Sequence, residues 1–365
     1  MRRATRSVTP SSPPLYHPGL HSFWSFDMPK RRRTDADDTE EELQEPPKDI
    51  PPVKRSDIWL EDGNVILQAE DTQFKVHRGL LARVSPIFAD VFSVPQPADG
   101  DLTVEGCPLL HLQDSAQDIN HLLSALYDQR YHTGRSMPFE VAAALLRLGK
   151  KYEIEPLFDE VVCRLKVDLP TTLECSDSLP QPNIWREFCG EDNILRDIAE
   201  FAYTSNIPEL RPILPITLAW CCDSIITGEE EEDDINSKPL SPELQRVCLV
   251  GRQKMVDRFN EVFSWVDALG DSPECSGVCK TFTKSLWRPE PELDCLMEPW
   301  DRLVKFHAAK DRKYSVNLKK LCKHCYGNAK VAYESTREEC WDLLPSFFGL
   351  PGWDVLNKDS AGAGA

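Results

Sequence analysis

The chain lacks any run of about 18 apolar residues, so nothing in it reads as a membrane-spanning helix. No apolar stretch follows Arg2, Arg3 and Arg6, so no secretory signal is expected. Net positive charge is missing as well: 42 Lys and Arg face 60 Asp and Glu, for a net charge of −18 at pH 7. Binding to nucleic-acid phosphates draws on counterion release by Lys and Arg, so direct nucleic-acid binding is not expected. Gly-rich phosphate loops and the Gly-x-Ser-x-Gly, His-Glu-x-x-His and EF-hand patterns are absent. The carboxylates fall in runs without an apolar pocket around them, and the chain reads as a non-enzyme. Cysteine is not scarce. There are 13, an odd number. Without a secretory signal they point to a reducing compartment, nuclear and/or cytoplasmic, where thiols and a metal site are favoured over a disulfide framework.

What is there is organised around residues 56–92, SDIWLEDGNVILQAEDTQFKVHRGLLARVSPIFADVF. Val65, Leu67 and Ala69 share one face of an extended segment. The polar Ala69-Glu70-Asp71-Thr72 interrupts it, and Phe74 and Val76 follow on a second short strand. This period-two pattern predicts a β-hairpin. After His77 the period changes. Leu80, Leu81, Val84, Phe88, Val91 and Phe92 recur at helical spacing, with Ser85-Pro86 as N-cap and first-turn Pro of a second helix. His77 sits at the strand-to-helix corner without a triad partner at suitable spacing, and reads as structural.

The order Phe74-x-Val76-His77-Arg78-x-Leu80-Leu81-x-x-x-Ser85-x-x-Phe88, with Asp57 and Phe92 on either side, resembles the opening of a BTB/POZ domain. Downstream, ALLRLGKKYEIEPLFDEVVCRL resembles the paired helices that close that domain. From residue 241 onward the order of segments is similar to the C-terminal half of fungal, basidiomycete-type BTB proteins. The implied fold class is α+β: a small sheet flanked by helices over 56–170, then a mostly helical C-terminal region. The kelch, ankyrin and two-Cys two-His repeats that often accompany such domains are absent.

The resemblance implies protein–protein interaction through self-association or partner binding. The dimer surface carries over to Leu80, Leu81, Val84 and Phe88. Asp57 and Arg78 match a charged pocket near that surface and are expected as a buried or half-buried ion pair. The expected roles are scaffold or transcription-associated adaptor, or substrate adaptor of a cullin-type ubiquitin ligase. Ligase adaptors carry a hydrophobic-x-Glu signature after the second helix. Here that place reads Phe92-Ser93-Val94-Pro95-Gln96, without the Glu.

Around this domain the chain divides by composition. Residues 1–55 are rich in Pro, Ser and Arg without periodicity and read as a disordered tail. Within it Lys30, Arg31, Arg32 and Arg33 form a basic cluster followed by acids, which reads either as a nuclear localisation signal or as a solvated polyampholyte. A helical extension is expected over 171–227, with two successive apolar helices forming an αα-hairpin on the preceding domain. Six consecutive acids at 229–234 place an exposed loop over 228–240. Ser241-Pro242 opens a helical, Cys- and Trp-rich module over 241–357, and a short disordered tail closes the chain at 358–365. Trp287, Trp300, Trp341, Trp353 and Phe347-Phe348 read as its core more readily than as a binding surface.

Within that module Cys275-x-x-x-Cys279 and Cys322-x-x-Cys325 each allow two sulfurs to face one ion. Four thiolates in tetrahedral array suit structural zinc. Such a site staples a fold and does no catalysis. The competing reading is four buried core cysteines, a common fate of that residue. Cys340 and His324 stand as substitute ligands.

Overall fold

The computed structural model of the chain describes residues 53–94, 103–128, 136–179, 185–189, 194–227, 239–262 and 321–359, with 264, 267, 270–275, 279, 299 and 301 lying between the last two blocks. The basic cluster Lys30–Arg33, the acids 229–234, Trp287 and Trp300 lie outside these residues.

Strand β1 (Lys54–Trp59) runs parallel to β3 and was not foreseen. Its residues alternate poorly, and its place at a sheet edge leaves Lys54, Arg55 and Asp57 exposed. Charged residues on an edge strand discourage edge-to-edge pairing. The expected hairpin forms from β2 (Val65–Ala69) and β3 (Thr72–Val76), antiparallel from Val65–Val76 to Ala69–Thr72. Glu70, with φ of 50°, makes the turn. Val65, Leu67, Ala69, Phe74 and Val76 all enter the core, as the alternation predicts. Ile66 is also fully buried although it points the other way. The reason is position: β2 is the central strand, and Ile66 stands between Lys75 and Leu109 of its two neighbours.

The chain then turns helical in α1 (Arg78–Val84) and α2 (Pro86–Ser93). Ser85 between them is fully buried. Its hydroxyl accepts the Phe88 N–H at 3.1 Å and donates to the Tyr152 carbonyl at 2.5 Å. The Tyr152 ring stacks on Phe88 with centroids 4.4 Å apart. Strands β4 (Thr103–Val104) and β5 (Cys107–Leu112) complete a mixed sheet of order β1-β3-β2-β5-β4. Ser115 caps α3 (Ala116–Tyr127) by accepting the Asp118 N–H. The Asp118 carboxylate binds Arg147 through two hydrogen bonds of 2.9 and 2.8 Å.

After β6 (Met137–Pro138) comes α4 (Phe139–Lys151), of which only Glu140, Arg147, Lys150 and Lys151 face solvent. Next are α5 (Glu155–Asp168), α6 (Leu173–Ser178) and β7 (Phe188–Cys189), the last pairing with β6 in parallel. The Asp168 carboxylate accepts the backbone N–H groups of Arg186 and Glu187 and so fixes the chain ahead of β7. Helix α7 (Ile194–Thr204) leads through a 3-10 turn, Pro208–Ile213, into α8 (Leu214–Thr227). These are the two expected apolar helices, and they pack on each other and, through Phe201, on Phe139 of α4. Every residue from 214 to 222 is buried. A helix apolar all round must be enclosed on all sides. Helices α9 (Pro242–Val262) and α10 (Lys323–Phe347) supply that cover, and α11 (Trp353–Asp359) closes the described chain.

Gly251 of α9 lies under the Phe348 ring, where a Cβ would come within 2.3 Å of it. Trp341 and Trp353 stack at 5.2 Å, and the Trp353 indole donates to the Trp341 carbonyl at 2.7 Å. Arg337, buried in α10, forms ion pairs with Asp177 of α6 and with Glu334. One apolar core thus continues from Val65 to Phe348. No helix among the described residues is long and apolar enough to cross a membrane.

The Ser85 hydroxyl joins the α1–α2 corner to the end of α4. Removing it leaves a buried carbonyl without its donor and a helix without its cap, for an expected loss of about 2 kcal/mol in Ser85→Ala. Urea unfolding should show a lower midpoint with an unchanged slope.

Candidate functional site

The residues expected at a dimer surface separate by face. Leu81 and Phe88 are 0% and 1% exposed and belong to the core. They are therefore no part of any surface of this fold, which corrects their assignment. Leu80 and Val84, one helical turn apart on α1, stay half-exposed. The cause is the 3.6-residue period: successive leucines lie about 100° apart, so Leu81 can point inward only if Leu80 points elsewhere.

Asp57 and Arg78 do not form the expected ion pair, and both are exposed. The Arg78 backbone N–H donates to Asn64 Oδ1 at 2.8 Å, and its guanidinium donates to the Phe92 carbonyl and lies 5.3 Å above the Phe92 ring. That carbonyl is at the C-terminal end of α2, which attracts a cation. Arg78 thereby ties the first turn of α1 to the last turn of α2. At the corner before it, the His77 ring reaches Asp62 at 3.0 Å and the Tyr127 hydroxyl at 3.3 Å, and the His77 backbone N–H donates to that hydroxyl at 2.9 Å. The partners of the His77 ring are thus two side chains, the Asp62 carboxylate and the Tyr127 hydroxyl.

A second constellation lies far along the chain. The sulfurs of Cys275, Cys279, Cys322 and Cys325 all fall within 4.8 Å of one another. Two local structures bring this about. Cys322 is the N-cap of α10, and its sulfur accepts the Cys325 N–H at 3.4 Å, so both thiols of that pair stand at the helix start. The positive end of a helix favours thiolate there. On the other side, Gly270, with φ of 83°, leads into a turn in which the Cys275 N–H donates to the Ser272 carbonyl. The two pairs are joined directly by the Cys322 N–H, which donates to Cys279 Sγ at 3.3 Å.

Cys279 and Cys325 are buried, and Cys275 and Cys322 are half-buried and form the accessible rim. Burial pushes the thiols of Cys279 and Cys325 up, the latter to about 12, while the Gly270 N–H pulls Cys325 the other way. A cation inverts that balance, because a coordinating thiol is deprotonated outright. Sulfurs about 2.3 Å from a tetrahedral ion stand about 3.8 Å apart, so the observed spread needs only a slight contraction. This cysteine group can hold a metal ion.

Neither substitute ligand is available. The His324 ring is held by Glu274 at 2.7 Å and by Asn328 at 2.9 Å. Cys340 lies on the same helix as Cys325 but 15 residues later, about 22 Å along the axis. There it is buried, and that burial pushes its thiol up while the Arg258 guanidinium pulls it down. Sequence reasoning missed Gly270, Glu274 and the backbone donors to sulfur. Only Gly270 carried a signal, as the glycine directly before Asp271-Ser272-Pro273.

With this geometry in place, the chain can be compared with known proteins. Residues 60–168 match the BTB/POZ domain family. The match runs from the residue after β1 to the last residue of α5, and so takes in the hairpin, the α1–α2 corner and the buried α4. A BTB/POZ domain is therefore present at 60–168, and the chain carries a protein–protein interaction module of a kind that mediates self-association and binding to other proteins. Helices α6–α11 and the cysteine group fall outside the match. No curated protein matches the chain.

Proposed function

We propose that this protein is a self-associating scaffold or transcription-associated adaptor whose BTB/POZ domain dimerises through the outer face of α1. The observation that supports it is the division of that helix. Leu81 anchors α1 to the core, and Leu80 and Val84 remain half-exposed on a short helix whose neighbours are held rigidly by Ser85, Arg78 and Tyr152. A rigid apolar ridge suits an isologous contact, in which the same patch meets itself across a two-fold axis. The cullin-adaptor reading has less support, because Phe92-Ser93-Val94-Pro95-Gln96 lacks the expected Glu. The basic cluster Lys30–Arg33 is proposed as a nuclear localisation signal serving the same adaptor role.

Light scattering should give twice the chain mass at micromolar concentration, and the Leu80→Glu variant should give the monomer mass with an unchanged melting temperature. A strictly monomeric parent chain would sink the dimer reading. Pull-down against a cullin should recover no stoichiometric complex; recovery of one would move the assignment to the ligase adaptor. A fluorescent fusion should concentrate in nuclei, and replacing Lys30, Arg31, Arg32 and Arg33 by Ala should disperse it.

A further inference from the structure

We propose that Cys275, Cys279, Cys322 and Cys325 bind one zinc ion, which clamps the start of α10 to Cys275 and Cys279 and holds the C-terminal helical module together. The site lies outside the BTB/POZ match and is independent of the dimer proposal.

The donor set decides the class of ligand. Four sulfurs, with no oxygen donor among them, select a soft or borderline ion over calcium or magnesium. A spread of 4.8 Å fits one tetrahedral ion and is tight for a multi-iron cluster, whose thiolates sit around a larger body. Backbone N–H groups already point at two of the sulfurs: that of Cys322 at Cys279 and that of Cys325 at Cys322. Such donors orient the ligands and offset part of the thiolate charge, as outer partners do in metal sites. The ring of His324 beside the group is held off by Glu274 and Asn328, so the thiol set is complete without it. All four positions are ligands, so no site is left for substrate and the role is structural.

The mechanical consequence follows from the sequence separation. Cys279 and Cys322 are 43 positions apart. An ion on both joins two segments far apart in sequence, and because the unfolded chain has no preformed site, its binding free energy adds to the stability of the fold. It also fixes the N-terminal end of α10, whose other end is already held by Phe348 over Gly251 and by the Trp341–Trp353 stack. Each thiol gives up its proton to solvent as it binds, so uptake of one zinc by four thiols releases up to four protons.

The full chain, purified without chelators, should carry one zinc per molecule by elemental analysis. Cobalt exchanged into the site should saturate at one per chain and show the sulfur-to-cobalt charge-transfer and strong d–d bands of a tetrahedral tetrathiolate. Zinc content should fall to near zero in Cys279→Ser and Cys325→Ser and stay at one in Cys340→Ser. Chelation should open the 270–347 region to protease while the BTB/POZ domain keeps its protection and the chain its oligomeric mass. Absence of zinc, iron in its place, or a disulfide within either cysteine pair by intact mass would overturn the proposal. If the serine variants aggregate, the cobalt spectrum of the unaltered chain decides, because a spectrum without thiolate charge transfer would overturn it just as well.

Discussion

Helix α4 is the constraint on which the remaining architecture depends. Nine of its residues are buried, leaving almost no polar face, and a helix of that kind must be covered on nearly every side. Helices α3 and α5 pack against it, and α3 also meets the sheet. Its first residue, Phe139, meets Phe188 and Phe201 edge-on at 6.4 and 5.9 Å, so β7 and α7 cover the rest. Those two elements lie outside the BTB/POZ match. The helical extension is therefore not a tail attached by a linker. It completes the enclosure of a helix that the matched domain leaves partly open, and Asp168 at the end of α5 ties the returning chain by accepting its backbone N–H groups.

From that frame the molecule presents two kinds of chemistry at separate places. At the α1–α2 corner, buried groups make a rigid platform: Leu81 and Phe88 from below, Ser85 between the helices, Arg78 across their ends. Around it Arg78, Arg83 and Asp90 are exposed, and Leu80 is half-buried between them. At the C-terminal module the long helix α10 is held at several points. The cysteine group lies at its start, the Arg337–Asp177 ion pair in its middle, and Phe348 and the stacked tryptophans at its end. The buried Arg337 is the more demanding of these contacts, since a guanidinium out of water needs its carboxylate partners in place.

Much of the fold could be read from local pattern. The hairpin, both Ser-capped helices at Ser85 and Ser115, the apolar α7–α8 pair and the Ser241 start of α9 all rest on residues close in sequence, where period and cap chemistry act directly. Strand β1 escaped notice because an edge strand carries charge and little alternation. Ile66 looked outward by period two, yet the sheet order buries it. Val250 sits within the apolar stretch of α9 but is half-exposed, while Gly251, which has no side chain to attract attention, faces the core and receives the Phe348 ring. At the candidate sites the spacing of each cysteine pair was visible. That the two pairs converge, and that Cys340 and His324 stay out, depended on which way α10 runs and what holds its first turn.

By itself, then, the sequence determined the class of domain, the positions of its hairpin and capped helices, and the residue types able to bind a metal. These follow from interactions within a few residues of one another, where geometry is nearly given by backbone period and hydrogen-bond capacity. Only the tertiary structure decided that Leu81 and Phe88 are core while Leu80 and Val84 are only half-buried, that Arg78 serves Phe92 rather than Asp57, and that four cysteines separated by dozens of residues share one small space. Those outcomes depend on how elements pack against each other, and packing is a property of the whole chain's burial that no short window of residues contains.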